Sequence, residues 1–181
     1  VDFPQVLTEL SRFLEERGYR WGLAGAFALY AFGLTRATAD LDFVVEERAR
    51  GELLRRLDLL GYEQLYVSEG YSNHVHADPA AGRLDFIYLD ERTAQVLFGG
   101  CRRVELFPGV EVSVPRPEHL AAMKVLAMKN DPSRTFAELA DLQFLLRLPG
   151  VNRDEIRGYF ERHGLLERFY ELERTIRPPG S

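Results

Sequence analysis

Trp21-Gly22-Leu23-Ala24-Gly25-Ala26-Phe27-Ala28-Leu29 reads as an apolar strand that runs into glycine and becomes a helix at once. Thirteen residues separate Ala26 from Asp40, room for a short helix ending at Gly33 and a loop over residues 34–39. The next stretch, Asp40-Leu41-Asp42-Phe43-Val44-Val45, alternates acidic and apolar residues and then turns β-branched, as a strand does. Asp40 and Asp42 therefore leave the same face, with Cα atoms about 6.6 Å apart at roughly 3.3 Å per residue.

Working outward, Pro4 followed by Val6, Leu7, Leu10, Phe13 and Leu14 predicts an amphipathic helix closed by Gly18. Leu53, Leu54, Leu57 and Leu60 predict a second over residues 48–60, with Gly61 beyond its end. Strands are expected at residues 62–67, 72–77 and 83–89, and a hairpin at residues 102–106 and 110–114 around Pro108-Gly109. From Pro117 the pattern is helical only, over residues 118–129, 136–148, 152–163 and 165–175. Strands first and helices last is an α+β order. The expected division is a core over residues 1–116 and a helical C-terminal part over residues 117–181 packed on it.

The 181 residues are 46% hydrophobic and 28% charged, a globular balance, and the net charge of −5 argues against a chain-wide basic coat for duplex nucleic acid. Cys101 is the single cysteine, which excludes an internal disulfide and a cysteine-based zinc site; it reads as a plain strand residue. No apolar run approaches a membrane span and no signal pattern is visible, so a cytoplasmic location is expected.

Two carboxylates this close on a sheet repel unless a cation sits between them. Asp85, in Leu84-Asp85-Phe86-Ile87-Tyr88, is a further acid among bulky apolar residues and is costly unless it faces a cleft, a partner or a metal. Should its strand lie beside that of Asp40, three oxygen-rich ligands meet, a set suited to magnesium or manganese bound with a nucleotide's phosphates. The plainer alternative is that Asp40 caps a turn, Asp42 pairs with Arg36 and Asp85 pairs with Arg83. The turn at Gly25 offers backbone amides and a close approach for phosphate, or it is simply a tight strand-to-helix turn.

Taken together, Ala24-Gly25-Ala26, Gly33, Arg36-Ala37-Thr38 and Asp40-Leu41-Asp42 resemble the nucleotidyltransferase (DNA polymerase β-like) superfamily, in particular its AbiEii-type toxins and minimal relatives. Pro117-Glu118-His119-Leu120, Lys124-Val125-Leu126-Ala127 and the stretch from Arg134 through Glu138-Leu139-Ala140-Asp141-Leu142 resemble later elements of that branch. The resemblance implies a twisted mixed sheet flanked by helices, metal ligation by Asp40, Asp42 and Asp85, and nucleotide contacts from Gly25, Ala26, Arg36, Thr38, Lys124 and Asp141. It implies transfer of a nucleoside monophosphate from a triphosphate to an acceptor hydroxyl with magnesium or manganese as cofactor, and a toxin acting on transfer RNA with a cognate antitoxin as partner. A protein hydroxyl or an aminoglycoside-type small molecule is the alternative acceptor. Because glycine or serine more often follows the turn glycine, a silent nucleotide- or partner-binding relative is the remaining alternative.

Other residues have ordinary explanations. Thr135-Phe136-Ala137-Glu138 reads as a capping box that accounts for Glu138, and Asp141 reads as part of a solvated helix face. Lys124 either snorkels or lies in a cleft. His74 and His76 read as a half-exposed sheet face, and Trp21, Tyr62, Tyr66 and Tyr71 as core or sheet packing.

Overall fold

The structure is a computed structural model describing residues 1–176. It divides into two compact units, Val1–Pro115 and Arg116–Ser181. The first opens with helix α1 (Phe3–Glu16), capped by the Asp2 side chain, which buries Val6, Leu7, Leu10, Phe13 and Leu14 as its periodicity requires. Strand β1 (Trp21–Leu23) leads into the six-residue helix α2 (Gly25–Tyr30), and β2 (Asp40–Glu46) returns antiparallel to β1. A 3₁₀ turn at Glu47–Ala49 feeds α3 (Arg50–Leu59), followed by β3 (Tyr62–Val67), β4 (Tyr71–His76) and β5 (Arg83–Leu89).

These five strands form one mixed sheet in the order β1-β2-β5-β4-β3, with β2 and β5 parallel and the other pairs antiparallel. One face is the core. Phe43 and Phe86 stack there at 5.1 Å between ring centres, with Trp21 tilted against Phe43 and Tyr88 stacked on Phe86. Within that face His74, Ser72 and Tyr88 make a buried hydrogen-bonded chain, His74 Nε2 to Ser72 Oγ at 2.9 Å and Ser72 Oγ to the Tyr88 hydroxyl at 2.7 Å. His74 is thus a satisfied core histidine and not half exposed, and burial lowers its pKa.

Helix α4 (Glu91–Gly99) follows, capped by Asp90, whose carboxylate accepts from Thr93 N at 2.9 Å. The sequence reading assigned nothing to this segment. Strands β6 (Arg102–Phe107) and β7 (Val110–Val114) form the expected hairpin. Cys101 precedes β6 instead of lying within it, its thiol directed at the Leu97 carbonyl.

The described residues of the second unit form α5 (Pro117–Asn130), a 3₁₀ turn at Pro132–Arg134, α6 (Thr135–Leu146), α7 (Arg153–Arg162) and α8 (Leu166–Ile176), with no strand among them. No helix among the described residues is long and apolar enough to cross a membrane.

Candidate active site

The face of the sheet opposite the aromatic core carries the acids. Because β2 and β5 run parallel, Asp42 is the direct register partner of Asp85, and their side chains leave the same face about 4.8 Å apart at the backbone. Asp40 lies two residues earlier on that face, opposite Arg83. Thr38 sets the start of the strand: its hydroxyl accepts from Asp40 N at 3.2 Å and donates to Asp40 O at 3.1 Å.

Gly25 explains why this stretch must be glycine. Its φ is +57°, and a Cβ there would fall 1.8 Å from Asp42 Oδ2 and 2.5 Å from Asp42 Cγ. The clearance expected for a phosphate is thus occupied by the Asp42 carboxylate, which the missing side chain lets against the turn. Ala24 N reinforces the arrangement by donating to the Asp42 carbonyl at 2.8 Å. Ala26 is buried, and Arg36 lies exposed in the loop before β2.

Asp85 is held by its neighbours. Asn73, its register partner on β4, donates through Nδ2 to Asp85 Oδ1 at 2.9 Å and to the Tyr71 hydroxyl at 2.6 Å. Arg83 approaches the same Oδ1 at 3.4 Å, so that one of the plain pairings considered from sequence is realised. Burial first, then the charges of Asp85 and Asp42, push the Tyr71 phenol far up, so it stays a neutral donor to Asp85. Asn73 was missed in the sequence and Tyr71 was read there as packing; both lie at the spacing of two that shares a strand face, and only the pairing of β4 with β5 reveals what they touch.

Glu46 closes β2 and is 1% exposed. Arg20 N and Nε donate to it at 2.9 Å each, and Arg48 pairs with it at 2.7 Å. Burial raises its pKa, but the bonds from Arg48 and Arg20 outweigh that, and the net shift is downward. This ion cluster anchors the end of the strand that carries Asp40 and Asp42.

Lys124 and Asp141 come together in the helical unit. The Lys124 ammonium lies 2.6 Å from Asp141 Oδ2 and 2.9 Å from Glu138 Oε2, and all three side chains are buried. Arg134 adds a 2.6 Å contact to Glu138 Oε1. Glu138 does not serve a capping box, since Thr135 Oγ1 bonds to the Pro132 carbonyl, and Asp141 does not lie on a solvated face. Lysine on α5 attracts both acids inward, because a buried ammonium needs compensating charge.

Among the described residues no three acidic, histidine or cysteine side chains gather closely enough to form a ready cation cage. Like-charged carboxylates lacking a counter-ion turn to local partners, as Asp85 does with Asn73 and Arg83. The donor set nevertheless suits a hard cation: carboxylate oxygens from adjacent strands, with the Gly25 clearance keeping one of them at the sheet surface.

Solved structures with this architecture include the antibiotic-resistance factor ANT(2'')-Ia, at a TM-score of 0.65 and 17% identity over 97% of this chain and 98% of that one. They also include the lincosamide antibiotic adenylyltransferase LnuA, at 0.56 and 12% over 79% and 96%, and an antigenic nucleotidyltransferase-like protein from Paracoccidioides brasiliensis, at 0.59 and 15% over 97% and 92%. The chain has the nucleotidyltransferase fold. In sequence no family model matches it, and neither does any curated protein. Within the nucleotidyltransferase fold, the face bearing Asp40, Asp42 and Asp85 is the one set beside the Gly25 turn.

Proposed function

We propose that the protein transfers a nucleoside monophosphate from a nucleoside triphosphate to a hydroxyl of a small molecule, releasing pyrophosphate. The observation that carries this is the register pairing of Asp42 with Asp85 beside a glycine whose missing Cβ makes room for the Asp42 carboxylate. A magnesium or manganese ion bound by Asp42, Asp85 and Asp40 would offset the charge that builds on the triphosphate. Asp85 is oriented by Asn73 and Arg83 and takes the proton of the attacking hydroxyl; the oxygen so freed attacks the α-phosphorus, and the bond to pyrophosphate breaks. Gly25, Ala26, Arg36 and Thr38 border the side of the sheet where the triphosphate lies in this reading.

A small acceptor is favoured because structures of the same fold include ANT(2'')-Ia and LnuA, described as an antibiotic-resistance factor and as a lincosamide antibiotic adenylyltransferase. The transfer RNA acceptor, the AbiEii-type branch and an antitoxin partner rest on the sequence motifs alone.

The test is incubation with magnesium, α-labelled nucleoside triphosphates, and tobramycin, lincomycin or bulk transfer RNA. Label in a small molecule, lost in Asp42→Asn, supports the proposal. Label only in RNA would replace the acceptor, and no transfer and no nucleotide binding under any condition would remove the enzyme reading.

A further inference from the structure

Tyr66 sits where regular alternation would not put it. In β3, Tyr62, Glu63 and Gln64 pair with His76, Val75 and His74, but a bulge follows and Tyr66 pairs with Asn73. An uninterrupted strand would place Tyr66 on the same face as Tyr62 and Gln64, which is the face of His74 and His76. The extra residue, Leu65, shifts the register so that Tyr66 shares the face of Asn73, the residue whose amide holds Asp85. Ring contact confirms the side: Tyr66 and Tyr71 lie 6.4 Å apart between centres.

The location matters as much as the face. In the order β1-β2-β5-β4-β3, the Gly25 turn leaves from β1, on one side of Asp85, whereas Tyr71, Asn73 and Tyr66 lie on the other. Tyr66 stands two strands from Asp85, about 10 Å at roughly 4.8 Å per strand, a span that accommodates one six-membered ring. It is 56% exposed on the edge strand of the sheet, and the bulge holds it on that face. Bulges next to active sites commonly re-aim a side chain.

We propose that Tyr66, set on the carboxylate face by the β3 bulge and flanked by Tyr71, is the shelf on which a hydroxylated ring of the acceptor stacks while its hydroxyl points at Asp85. This rests on the nucleotidyl-transfer reading and names the acceptor side of that site. Tyrosine suits the task because its ring is a flat apolar surface with few rotatable bonds and its hydroxyl remains wet.

The test uses saturation-transfer NMR on the full chain with manganese-free buffer and two probes, methyl α-glucoside and glucosamine, each a hydroxylated six-membered ring. Binding of ATP with manganese is measured separately. At least one sugar is expected to receive saturation from wild type, to lose tenfold or more of its affinity in Tyr66→Ala, and to keep it within threefold in Tyr66→Phe. ATP and manganese affinities should stay unchanged in both variants. Equal sugar binding by wild type and Tyr66→Ala, or no sugar binding by wild type that still binds ATP, would overturn the shelf and leave the transferase reading standing. Wild type that binds neither ATP nor manganese would overturn that reading, and the shelf with it.

Discussion

Replacing Gly25 by alanine probes the site with one methyl group. The added Cβ would lie 1.8 Å from Asp42 Oδ2, whereas ordinary contact begins near 3.4 Å, so the carboxylate oxygen has to retreat by about 1.6 Å. Because Asp42 Cβ itself is 3.0 Å away, rotation of the side chain relieves most of the clash and the backbone need not move far. Holding a non-glycine residue at a φ of +57° costs about 1–2 kcal/mol. For a unit of this size that corresponds to a fall in Tm of roughly 4–8 °C. Misplacement of a reacting group by about 1 Å is worth on the order of 100-fold in rate. Gly25→Ala should therefore remain folded, melt a few degrees lower, and lose about 100-fold in transfer rate together with most of its manganese affinity, read by electron paramagnetic resonance. Unchanged manganese binding and unchanged rate in a folded variant would refute the claim that this glycine exists to seat Asp42.

Asp42→Asn should leave the melting curve nearly intact while abolishing turnover; full activity in that variant would contradict the mechanism. Glu46 has a folded pKa below its ordinary value, so its contribution is complete above the ordinary glutamate range and is lost as pH falls through the folded pKa. Glu46→Gln should lower stability by about 2–3 kcal/mol at neutral pH and flatten the fall in Tm between neutral and acid pH, which thermal melts across that range would reveal. Lys124→Met leaves Glu138 and Asp141 buried together and should cost about 3–5 kcal/mol, measured by urea titration. A Lys124→Met protein of normal stability that has lost nucleotide affinity would instead assign this lysine to the triphosphate.

The fold was legible where local pattern suffices. Alternation in residues 40–45 put Asp40 and Asp42 on one face, and the helical periodicity of residues 3–16 marked its buried stripe, because both depend only on near neighbours. Helix α4, capped by Asp90 through Thr93, was not read from the sequence. What escaped the sequence depends on partners far along the chain. Glu138 looked like a cap because Thr135 stands three residues before it, whereas its buried partner Lys124 comes from a neighbouring helix. Glu46 drew no reading from the sequence, because the arginines that close on it, Arg20 and Arg48, are brought there by the fold. Tyr66 looked like sheet packing because Tyr62, Gln64 and Tyr66 keep a period of two; a one-residue bulge leaves no mark in that pattern and moves the ring to the other face. The carboxylate pair itself needed the parallel pairing of β2 with β5, which no short segment encodes.

In the proposed reaction Asp42 and Asp85 share a divalent cation beside residue 25. A crystal soaked with magnesium and a non-hydrolysable nucleoside triphosphate tests it most directly. The expected result is magnesium bridging those two carboxylates with a phosphate oxygen alongside; triphosphate bound with its metal on another face of the sheet would contradict the account.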